Sequence, residues 1–551
     1  MKKKIKNLIS FIFIFFPNFS FSDNIENQIE PEIESQNLDI KNKVLIAKEN
    51  IIVTANDYAT QIGHQILNLG GNVVDSAVAI QLTLGLVEPQ SSGLGGGMFI
   101  TYYDYNSKQT YFYDGREKAP KNIQNNIFLD KDKNPKKFYD AAIGGKSVGV
   151  PGTLDTLYKI HSEYGNLEWA ELIEPVIKLS KNGFYPPPRL ISSLEKEKYL
   201  FRMDPNSIYL KILEKPENKF INNQYTSTLK LISENYRSFY DGKIAKDIVK
   251  KVNQNKDNNK LSISDLENFY SKKKKAFCSK LQKITICGPA LPSSGTISIT
   301  QILKLIDYLH KQKKLDINNI LKVLNFTYFL RDKHLADDNF IKIDIKKILD
   351  DKFLIEEFSI FENYKKYIFV DEVLSSTSHY SIVDKSGNAI SVTSSIESSF
   401  GSRLFTNGFF LNNQLTDFSF KQKDNAGNFY KNRVEGGKKP LSSMSPLIIF
   451  DTKGNFLMTI GSPGGKAIIS YISRILIDYF YFEKKIKESI EDSNYLRIYG
   501  KTFVEDEKLK ASINGEVQVR SLTSGIGIII KKCEGLIGYA DHRRDGTVRG
   551  N

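Results

Sequence analysis

Residues 376–397 read STSHYSIVDKSGNAISVTSSIE, and this stretch decides the fold. Thr377 heads a predicted strand, residues 385–388 form the turn, and the chain returns through AISVTSS. If the turn centres near Ser386, Thr377 lies opposite Ser395, so two hydroxyls sit side by side at the end of a sheet. A threonine within a strand is ordinarily structural, so this geometry alone leaves its role open.

A second predicted hairpin, LIIFDTKGNFLMTIG (447–461), delivers the turn GSPGG to the same edge of the sheet. A helix is predicted to begin at Lys466, so the backbone N–H groups of Gly464 and Gly465 would lie at a helix N-terminus with no side chains to block approach. Such N–H groups suit an oxyanion, although a plain glycine turn would have the same sequence.

No serine–histidine triad can be assembled from this pattern. We expect His379 to pack behind the sheet rather than act as a base, because neighbouring residues on a strand point to opposite faces. The other histidines stand in no triad or metal-ligand spacing. The base that remains is the α-amine of Thr377 itself, which is free only if the chain is cut before that residue.

The rest of the chain alternates between helical and strand patterns. Structure is predicted to begin near Lys43 with one short strand, VLIAKENIIVTA, followed by a helix at 58–69 and an almost wholly apolar, buried helix at 75–86. A hairpin at 99–113 ends just before Arg116, the middle of the chain is mostly helical, and strands return in the last third. Strands between helical layers indicate an α/β or α+β fold.

Composition excludes several classes of protein. The chain has 551 residues, 40% of them hydrophobic, which is enough for a large core, and its net charge of +14 comes from scattered lysines rather than a basic face. We therefore expect no nucleic-acid partner. The turn EPQSSGLGGGMF lacks the ending of a phosphate loop, so no nucleotide is expected. The cysteines, Cys278, Cys287 and Cys533, fit no zinc spacing, and the first two could form a disulfide without being required to.

The N-terminus, MKKKIKNLISFIFIFFPNFSFS, has the form of a secretory signal, with lysines, an apolar run and small residues at Ser20 and Ser22. We expect a signal at 1–22, a polar leader at 23–42, and a secreted, periplasmic protein. A retained membrane anchor is the alternative, but Pro17 stops the apolar run well short of the ~20 residues that a span needs. No later segment is long and apolar enough to span.

Several motifs resemble those of the γ-glutamyltranspeptidase family and occur in its order: GGNVVDSAVAIQLTLGLVEPQSSGLGGGMF, YDGREKAP, VGVPGTLDTL, LPSSGTI, TSHYSIVDKSGNAISVT, FLNNQLTDFS, KKPLSSMSP, GSPGG and YADHRRDGTV. The resemblance runs from about Lys48 to the C-terminus. It implies an N-terminal nucleophile hydrolase fold, an α+β sandwich of four layers (αββα). It further implies a large subunit (43–376) and a small subunit (377–551), cut from one precursor and held together as a heterodimer.

The same resemblance implies catalytic roles. Thr377 would attack the Ser376 carbonyl to cut the chain, and would then attack the γ-carbonyl of a glutamyl substrate with its new α-amine as base. Gly464 and Gly465 would hold the oxyanion. Ser395 stands where threonine is common in the family, and it keeps the hydroxyl that would orient Thr377.

Substrate-binding residues are implied in the same way. The α-carboxylate of the substrate would be bound by Arg116, Ser442 and Ser443. Its ammonium group would be bound by Asp417, Gln414 and Glu397. Glu397 is an acid where other members carry asparagine, so we expect an altered affinity for the ammonium group. Segment 421–439 lies where some members have a substrate lid; Tyr430 would be its aromatic tip, although the segment is shortened and rich in lysine.

The resemblance thus implies an enzyme that cleaves glutathione and other γ-glutamyl amides and passes the acyl group to water, amino acids or short peptides. No metal or organic cofactor is implied. Two alternatives remain open. One is a relative with another acyl group, such as a cephalosporin acylase or a poly-γ-glutamate-processing transferase, and the other is an uncut, non-enzymatic binding protein.

Overall fold

Two seven-stranded sheets, stacked face to face, form the centre of the structure, a computed structural model that describes residues 43–254, 260–361 and 376–551. The expected signal (1–22) and polar leader (23–42) lie outside the described residues.

The strands range from two to nine residues in length. In chain order they are β1 (Val44–Ala47), β2 (Ile51–Thr54), β3 (Gly97–Asp104), β4 (Gln109–Gly115), β5 (Lys272–Lys275), β6 (Phe277–Lys280), β7 (Thr285–Gly288), β8 (Ser376–Val383), β9 (Ala389–Glu397), β10 (Phe405–Thr406), β11 (Phe409–Phe410), β12 (Leu447–Phe450), β13 (Phe456–Gly461), β14 (Tyr495–Ile498), β15 (Lys501–Val504), β16 (Val517–Val519), β17 (Gly527–Lys532), β18 (Gly535–Ala540) and β19 (Thr547–Gly550).

The helices fall mostly between β4 and β8. They are α1 (Asp57–Asn68), α2 (Val73–Val87), α3 (Phe138–Ala142), α4 (Thr153–Tyr164), α5 (Trp169–Asn182), α6 (Pro188–Glu195), α7 (Lys198–Met203), α8 (Asn223–Glu234), α9 (Ser238–Asp241), α10 (Lys243–Asn253), α11 (Ile263–Glu267), α12 (Gly295–Lys311), α13 (Ile317–His334), α14 (Ile345–Ile348), α15 (Asp351–Phe361), α16 (Ile468–Tyr481), α17 (Ile486–Glu491) and α18 (Glu507–Ala511). Short 3-10 helices lie at Gly145–Ser147, Leu210–Glu214, Gln414–Asp417 and Gly465–Ala467.

Each large sheet is antiparallel throughout. The hairpin sheet, which contains β8 and β9, has the order β19-β2-β8-β9-β3-β4-β5. The facing sheet has the order β1-β18-β17-β13-β12-β7-β6. The three predicted hairpins are confirmed as β3–β4, β8–β9 and β12–β13.

Helices cover the outer face of each sheet, so the molecule has four layers. The buried helix predicted at 75–86 is confirmed as α2, which is buried along its whole length, begins with a capping box at Asn72, and packs against β8 and β9. On the other side α12 packs against β7, and α16 packs against β13. One apolar core lies under each helical layer and a third lies between the sheets, where Val53, Val383 and Ile529 are buried. Burial on both faces explains why β8 and β9 contain no exposed residue.

The single strand expected at the start of the fold is wrong. The chain forms two strands, and they belong to different sheets: β1 pairs with β18 and β2 pairs with β19 and β8. The chain passes from one sheet to the other through the polar residues Lys48, Glu49 and Asn50. The backbone N–H groups of the first two donate to the carbonyl of Asn551. The Asn50 side chain is buried, and its Oδ1 accepts a hydrogen bond from the backbone N–H of Lys385. The pattern of apolar residues in the sequence cannot distinguish two strands in different sheets from one continuous strand.

A disulfide joins the edge of the facing sheet to its neighbour. Cys278 on β6 and Cys287 on β7 lie directly opposite each other, and their sulfur atoms are 2.01 Å apart. The bridge that the sequence permitted is therefore present. Cys533 is an exposed free thiol in the turn between β17 and β18.

Candidate active site

The β8–β9 hairpin has the register that its sequence predicts. Asp384 closes the turn by accepting hydrogen bonds from the backbone N–H groups of Ser386 and Asn388, both at 3.0 Å. From this turn the strands pair without a break as far as Thr377, which lies opposite Ser395. The expected pairing of the two hydroxyl residues is thus confirmed, and both side chains are buried.

Ser395 makes three hydrogen bonds at the end of the hairpin. Its Oγ accepts from the Thr377 hydroxyl at 3.2 Å and from the Glu397 backbone N–H at 2.8 Å. Its own hydroxyl donates to the Ser376 carbonyl oxygen at 2.9 Å. The pairing shifts by one residue between Ser376 and Thr377, so that Ser376 pairs with Glu397 and Ile396 is the extra residue of a bulge. The peptide bond before Thr377 is therefore held by the side chain that also contacts the Thr377 hydroxyl.

His379 does not lie behind the sheet. It is two residues from Thr377, not one, so the two side chains share the face that points at the facing sheet. The imidazole contacts Thr393 and Ser381, with Nδ1 3.0 Å from Thr393 Oγ1, and a Cβ at Gly461 of the facing sheet would collide with the ring. Burial lowers the pKa of His379 to about 3, so the ring is neutral at physiological pH. His379 is a packed neutral residue between the sheets.

Arg116 and Asp417 form an ion pair. Arg116 follows β4 and is buried, whereas the Asp417 side chain at the end of its 3-10 helix is 25% exposed. Arg116 Nη2 lies 2.5 Å from Asp417 Oδ2, and the guanidinium also donates to the carbonyl oxygens of Pro440 (3.1 Å) and Leu441 (3.3 Å). The predicted carboxylate-binding and ammonium-binding residues are thus brought together, and they pair with each other.

The other predicted substrate-binding residues surround this pair. Gln414 Nε2 donates to Asp417 Oδ2 at 2.7 Å. Ser442 and Ser443 follow directly on Leu441, one of the carbonyls that Arg116 holds. Ser442 Oγ accepts the Met444 backbone N–H at 3.2 Å, while the buried Ser443 Oγ has no hydrogen-bond partner in the protein. A buried hydroxyl in that condition suits a ligand.

Glu397 connects the hairpin to this group. Its φ of 81° places it in the left-handed region, which is unusual for a glutamate and follows from the bulge before it. Asn413 donates its side-chain amide to Glu397 Oε2, and its backbone N–H donates to the Ile396 carbonyl at 3.1 Å. Asn413 immediately precedes Gln414, so contacts run without interruption from Thr377 to Asp417.

Glu117 was missed by the sequence analysis, although it stands beside Arg116 in YDGREKAP. Its carboxylate is fully buried, neither oxygen has a hydrogen-bond partner, and Arg116 Nη1 lies 3.8 Å away. Burial raises the pKa of Glu117 to about 7, although Arg116 opposes the shift. A Cβ at Gly97, which pairs with Ser395, would collide with this carboxylate. Glu117 therefore lies between the arginine and the hairpin.

The turn GSPGG belongs to the facing sheet and not to the edge of the hairpin sheet, which corrects the expectation. The reason is that β13, which precedes the turn, pairs with β12 and β17. The turn still lies on the side towards which Thr377 points, because Gly461 contacts His379. Gly464 and Gly465 have φ values of 123° and 55°, which favour glycine. A short 3-10 helix begins at Gly465 and precedes α16.

Segment 421–439 packs as a loop beside the ion pair. Tyr430 on this loop is 39% exposed, and its backbone N–H donates to the Gln422 carbonyl at 2.9 Å. Asn432 links the loop to both sides of the site, because its Nδ2 donates to the Asp417 carbonyl at 2.7 Å and its Oδ1 accepts the Leu441 N–H at 3.0 Å.

Within residues 43–254, 260–361 and 376–551, no group of three or more histidine, cysteine or acidic side chains is arranged to hold a metal ion. No helix in the same described ranges has both the length and the apolar character needed to cross a membrane.

Comparisons with known sequences identify one family. The family model described as Gamma-glutamyltranspeptidase matches residues 59–550. The glutathione hydrolase proenzyme of Bacillus subtilis (strain 168) is 30% identical over 492 residues, which cover 83% of this chain and 81% of that protein. Glutathione hydrolase 3 of Arabidopsis thaliana is also 30% identical, over 537 residues that cover 90% of this chain and 82% of the plant protein.

Solved structures support the fold. The cephalosporin acylase from Bacillus halodurans has a TM-score of 0.77 at 19% identity and covers 94% of this chain and 98% of its own. The γ-glutamyltranspeptidase of Helicobacter pylori has a TM-score of 0.51 at 27% identity and covers 58% of this chain and 91% of its own. These proteins have the N-terminal nucleophile hydrolase fold, so the expected four-layer α+β architecture is confirmed.

Proposed function

This chain belongs to the γ-glutamyltranspeptidase family, and we propose that it is a self-cleaving γ-glutamyltransferase and glutathione hydrolase whose nucleophile is Thr377. The observation that carries the proposal is the hydrogen-bond chain from the Thr377 hydroxyl through Ser395 to the Ser376 carbonyl. It supports both the identity of the nucleophile and the bond that is cut.

Self-cleavage begins with attack of Thr377 Oγ1 on the carbonyl carbon of Ser376. The C–N bond breaks, the hydroxyl proton passes to the leaving amine, and the acyl group rests on Thr377 as an ester. Ser395 supports this step, because its Oγ accepts from the attacking hydroxyl while its own hydroxyl donates to the carbonyl oxygen that becomes negative. Water then hydrolyses the ester. The products are a carboxylate on Ser376 and a free α-amine on Thr377.

In turnover the same hydroxyl attacks the γ-carbonyl of a glutamyl amide. The α-amine of Thr377 is the base; its ordinary pKa of about 7.7–8.0 leaves a useful neutral fraction near pH 7. Gly464 and Gly465 stabilise the oxyanion with their backbone N–H groups. The amide C–N bond then breaks, the leaving amine takes the proton held by the α-amine, and the γ-glutamyl group rests on Thr377 as an ester. Water, an amino acid or a short peptide then takes the acyl group, and the Thr377 hydroxyl is restored. No metal or organic cofactor takes part.

Recognition of the γ-glutamyl group depends on exchanging the partners of one ion pair. The substrate's α-carboxylate pairs with the Arg116 guanidinium and accepts hydrogen bonds from Ser442 and Ser443. The buried Oγ of Ser443 has no hydrogen-bond partner in the protein. The substrate's ammonium group then takes the carboxylate of Asp417. Gln414 and Glu397 are the further ammonium-binding groups.

The proposal extends to the whole molecule. Residues 43–376 and 377–551 form the large and small subunits of one heterodimer, and residues 1–22 direct export to the periplasm. Segment 421–439, with Tyr430, covers the substrate as a lid, which is supported by the two hydrogen bonds of Asn432 on either side of the Arg116 site.

The experiment that tests the proposal is intact mass and N-terminal sequencing of the purified protein beside Thr377→Ala. We expect two fragments in the wild type, the smaller beginning Thr-Ser-His-Tyr, and one uncut, inactive chain in the variant. Rates on γ-glutamyl and glutaryl anilides then distinguish this activity from an acylase, because a glutaryl group has no ammonium for Asp417. An uncut, inactive wild type would overturn the proposal in favour of a binding protein.

A further inference from the structure

The two faces of β8 hold different side chains at the proposed cleavage site. Thr377 points towards the facing sheet and contacts Ser395. Ser376 points the other way, towards the helical layer, as do Ser378, which donates to Glu88, and Tyr380, whose hydroxyl donates to the Ala77 carbonyl of α2. The side chains of the residues before and after the bond are therefore held by separate sets of contacts, while Ser395 also holds the Ser376 carbonyl.

Arg189 and Ser91 hold the Ser376 side chain. Arg189 Nη2 donates to Ser376 Oγ at 3.2 Å, and Ser91 Oγ lies 3.0 Å from the same oxygen. Arg189 Nη1 donates to Ser91 Oγ, so the three side chains close a triangle. All three are at least 98% buried. A hydrogen bond from a charged donor at such a buried position is stronger than a neutral one.

Arg189 is itself firmly placed. It is the second residue of α6, whose first residue, Pro188, needs no hydrogen bond for its nitrogen. The Arg189 backbone N–H donates to Asp545 Oδ2 at 3.2 Å, and its guanidinium lies 3.8 Å from Glu88 Oε1. Ser91 is tied to the hairpin as well, because its carbonyl accepts the Ile396 N–H at 3.2 Å. We call the Arg189, Ser91 and Ser376 side chains the clamp. It connects α6, the turn after α2 and the end of β9.

We propose that Arg189, acting with Ser91, is a positioning residue for self-cleavage, which it aids by holding Ser376 so that its carbonyl faces both the Thr377 hydroxyl and Ser395. The inference rests on the proposed function, since it needs the bond between Ser376 and Thr377 to be the one that is cut. Arg189 takes no proton and forms no bond in the reaction.

The physical reason is that attack needs a fixed carbonyl. Thr377 Oγ1 must approach the Ser376 carbonyl carbon out of its plane, and rotation about the backbone of Ser376 would turn that carbon away. The carbonyl oxygen is held by Ser395, and the side chain is held by Arg189 and Ser91. Fixing both groups of one residue leaves its backbone a single orientation. The clamp also favours serine over an apolar residue before the bond, because Ser376 Oγ accepts from the guanidinium at 3.2 Å and an apolar side chain cannot.

The test is a time course of cleavage after cell-free synthesis, followed by gel and intact mass. The variants are Arg189→Met, Arg189→Lys, Ser376→Ala and the double variant Arg189→Met/Ser376→Ala. We expect Arg189→Met and Ser376→Ala each to slow cleavage about tenfold or more, as loss of a charged hydrogen bond does. We expect Arg189→Lys to restore part of the rate, and the double variant to be no slower than the slower single variant, because both changes remove the same contact.

Two controls separate positioning from folding. Arg403 is another buried arginine paired with a carboxylate, that of Glu197, and Arg403→Met should cleave at the wild-type rate. Thermal midpoints are measured in a Thr377→Ala background, where no variant is cut. If Arg189→Met fails to fold there, Ser376→Ala decides the matter alone.

Each outcome is decisive. Ser376→Ala at the wild-type rate, or a double variant whose slowing is the product of the single effects, overturns the inference while leaving self-cleavage in place. A wild-type chain that stays whole overturns self-cleavage, and this inference with it.

Discussion

Thr377 and Ser395 lie opposite each other at the open end of the β8–β9 hairpin, 3.2 Å apart between their hydroxyl oxygens. Ser395 also donates to the Ser376 carbonyl, so one side chain touches the proposed nucleophile and the proposed point of attack.

Replacing Ser395 should therefore slow maturation. We expect Ser395→Ala to slow cleavage about 100-fold or more, the order of effect found on removing an oxyanion donor, and Ser395→Thr to cleave at close to the wild-type rate. The time course of precursor loss measures both. The matched control is Ser391→Ala on the same strand, which removes a buried hydroxyl that has no hydrogen-bond partner. Equal rates for Ser395→Ala and wild type would contradict the role.

Arg116→Lys should weaken substrate binding without preventing cleavage. A lysine keeps the charge but loses the planar fork and two carbonyl contacts, so we expect KM for a γ-glutamyl anilide to rise roughly tenfold to 100-fold, with a smaller change in kcat. Arg549→Lys, at a partly exposed pair with Asp57, serves as the control. An unchanged KM would show that Arg116 does not bind the substrate carboxylate.

Glu117 should make stability depend on pH. Its pKa is raised by burial from 4.5 to about 7, so between these values the folded chain holds a proton that the unfolded chain has lost. This stabilisation is complete below pH 4.5 and is lost as the pH rises through 7. In a Thr377→Ala background, we expect the unfolding free energy of the parent to fall relative to Glu117→Gln by up to about 3 kcal/mol between pH 5 and 8.

Urea titrations at the two pH values measure that difference. Glu234→Gln, at an exposed end of α8, controls for the change of side chain. A gap between parent and Glu117→Gln that stays constant from pH 5 to 8 would mean that Glu117 is ionised throughout.

The disulfide between Cys278 and Cys287 should contribute to stability, since it closes a loop over a sequence separation of 9. Loop-closure entropy for so short a loop predicts a loss of about 2–3 kcal/mol in the double variant Cys278→Ala/Cys287→Ala, measured by denaturant unfolding. Reductant should lower the stability of the wild type similarly and leave the variant unchanged. Cys533→Ala is the control for removing a thiol. Insensitivity of the wild type to reductant would refute the expectation.

The sequence predicted the hairpin register because a turn closed by Asp384 and Gly387 sets the pairing of every later residue until a bulge intervenes, and the bulge lies beyond Thr377. The family resemblance similarly predicted the fold and the residues around Arg116. The local sequence pattern did not predict features that depend on contacts with the facing sheet. It could not reveal that the chain changes sheets at 48–50, or that GSPGG belongs to the facing sheet.

Polar contacts between residues far apart in the chain also could not be predicted from the sequence. Arg189 lies 187 residues before Ser376, and nothing in the spacing of a proline run suggests a contact with a strand end so far along the chain. Glu117 stands in the motif YDGREKAP, but the absence of hydrogen-bond partners for its carboxylate is a property of packing. The expectation for His379 was wrong because residues 377 and 379 are two apart on a strand and therefore share a face.

The pairing of Arg116 with Asp417 makes the proposed binding site a built-in zwitterion. A guest that carries both a carboxylate and an ammonium group can replace this internal salt with two new ones, so that no charge is left bare. A ligand with only one of the two groups leaves either the arginine or the aspartate without a charged partner. Discrimination against such compounds therefore needs no steric barrier, because the protein's own ion pair is the competitor that every ligand has to displace.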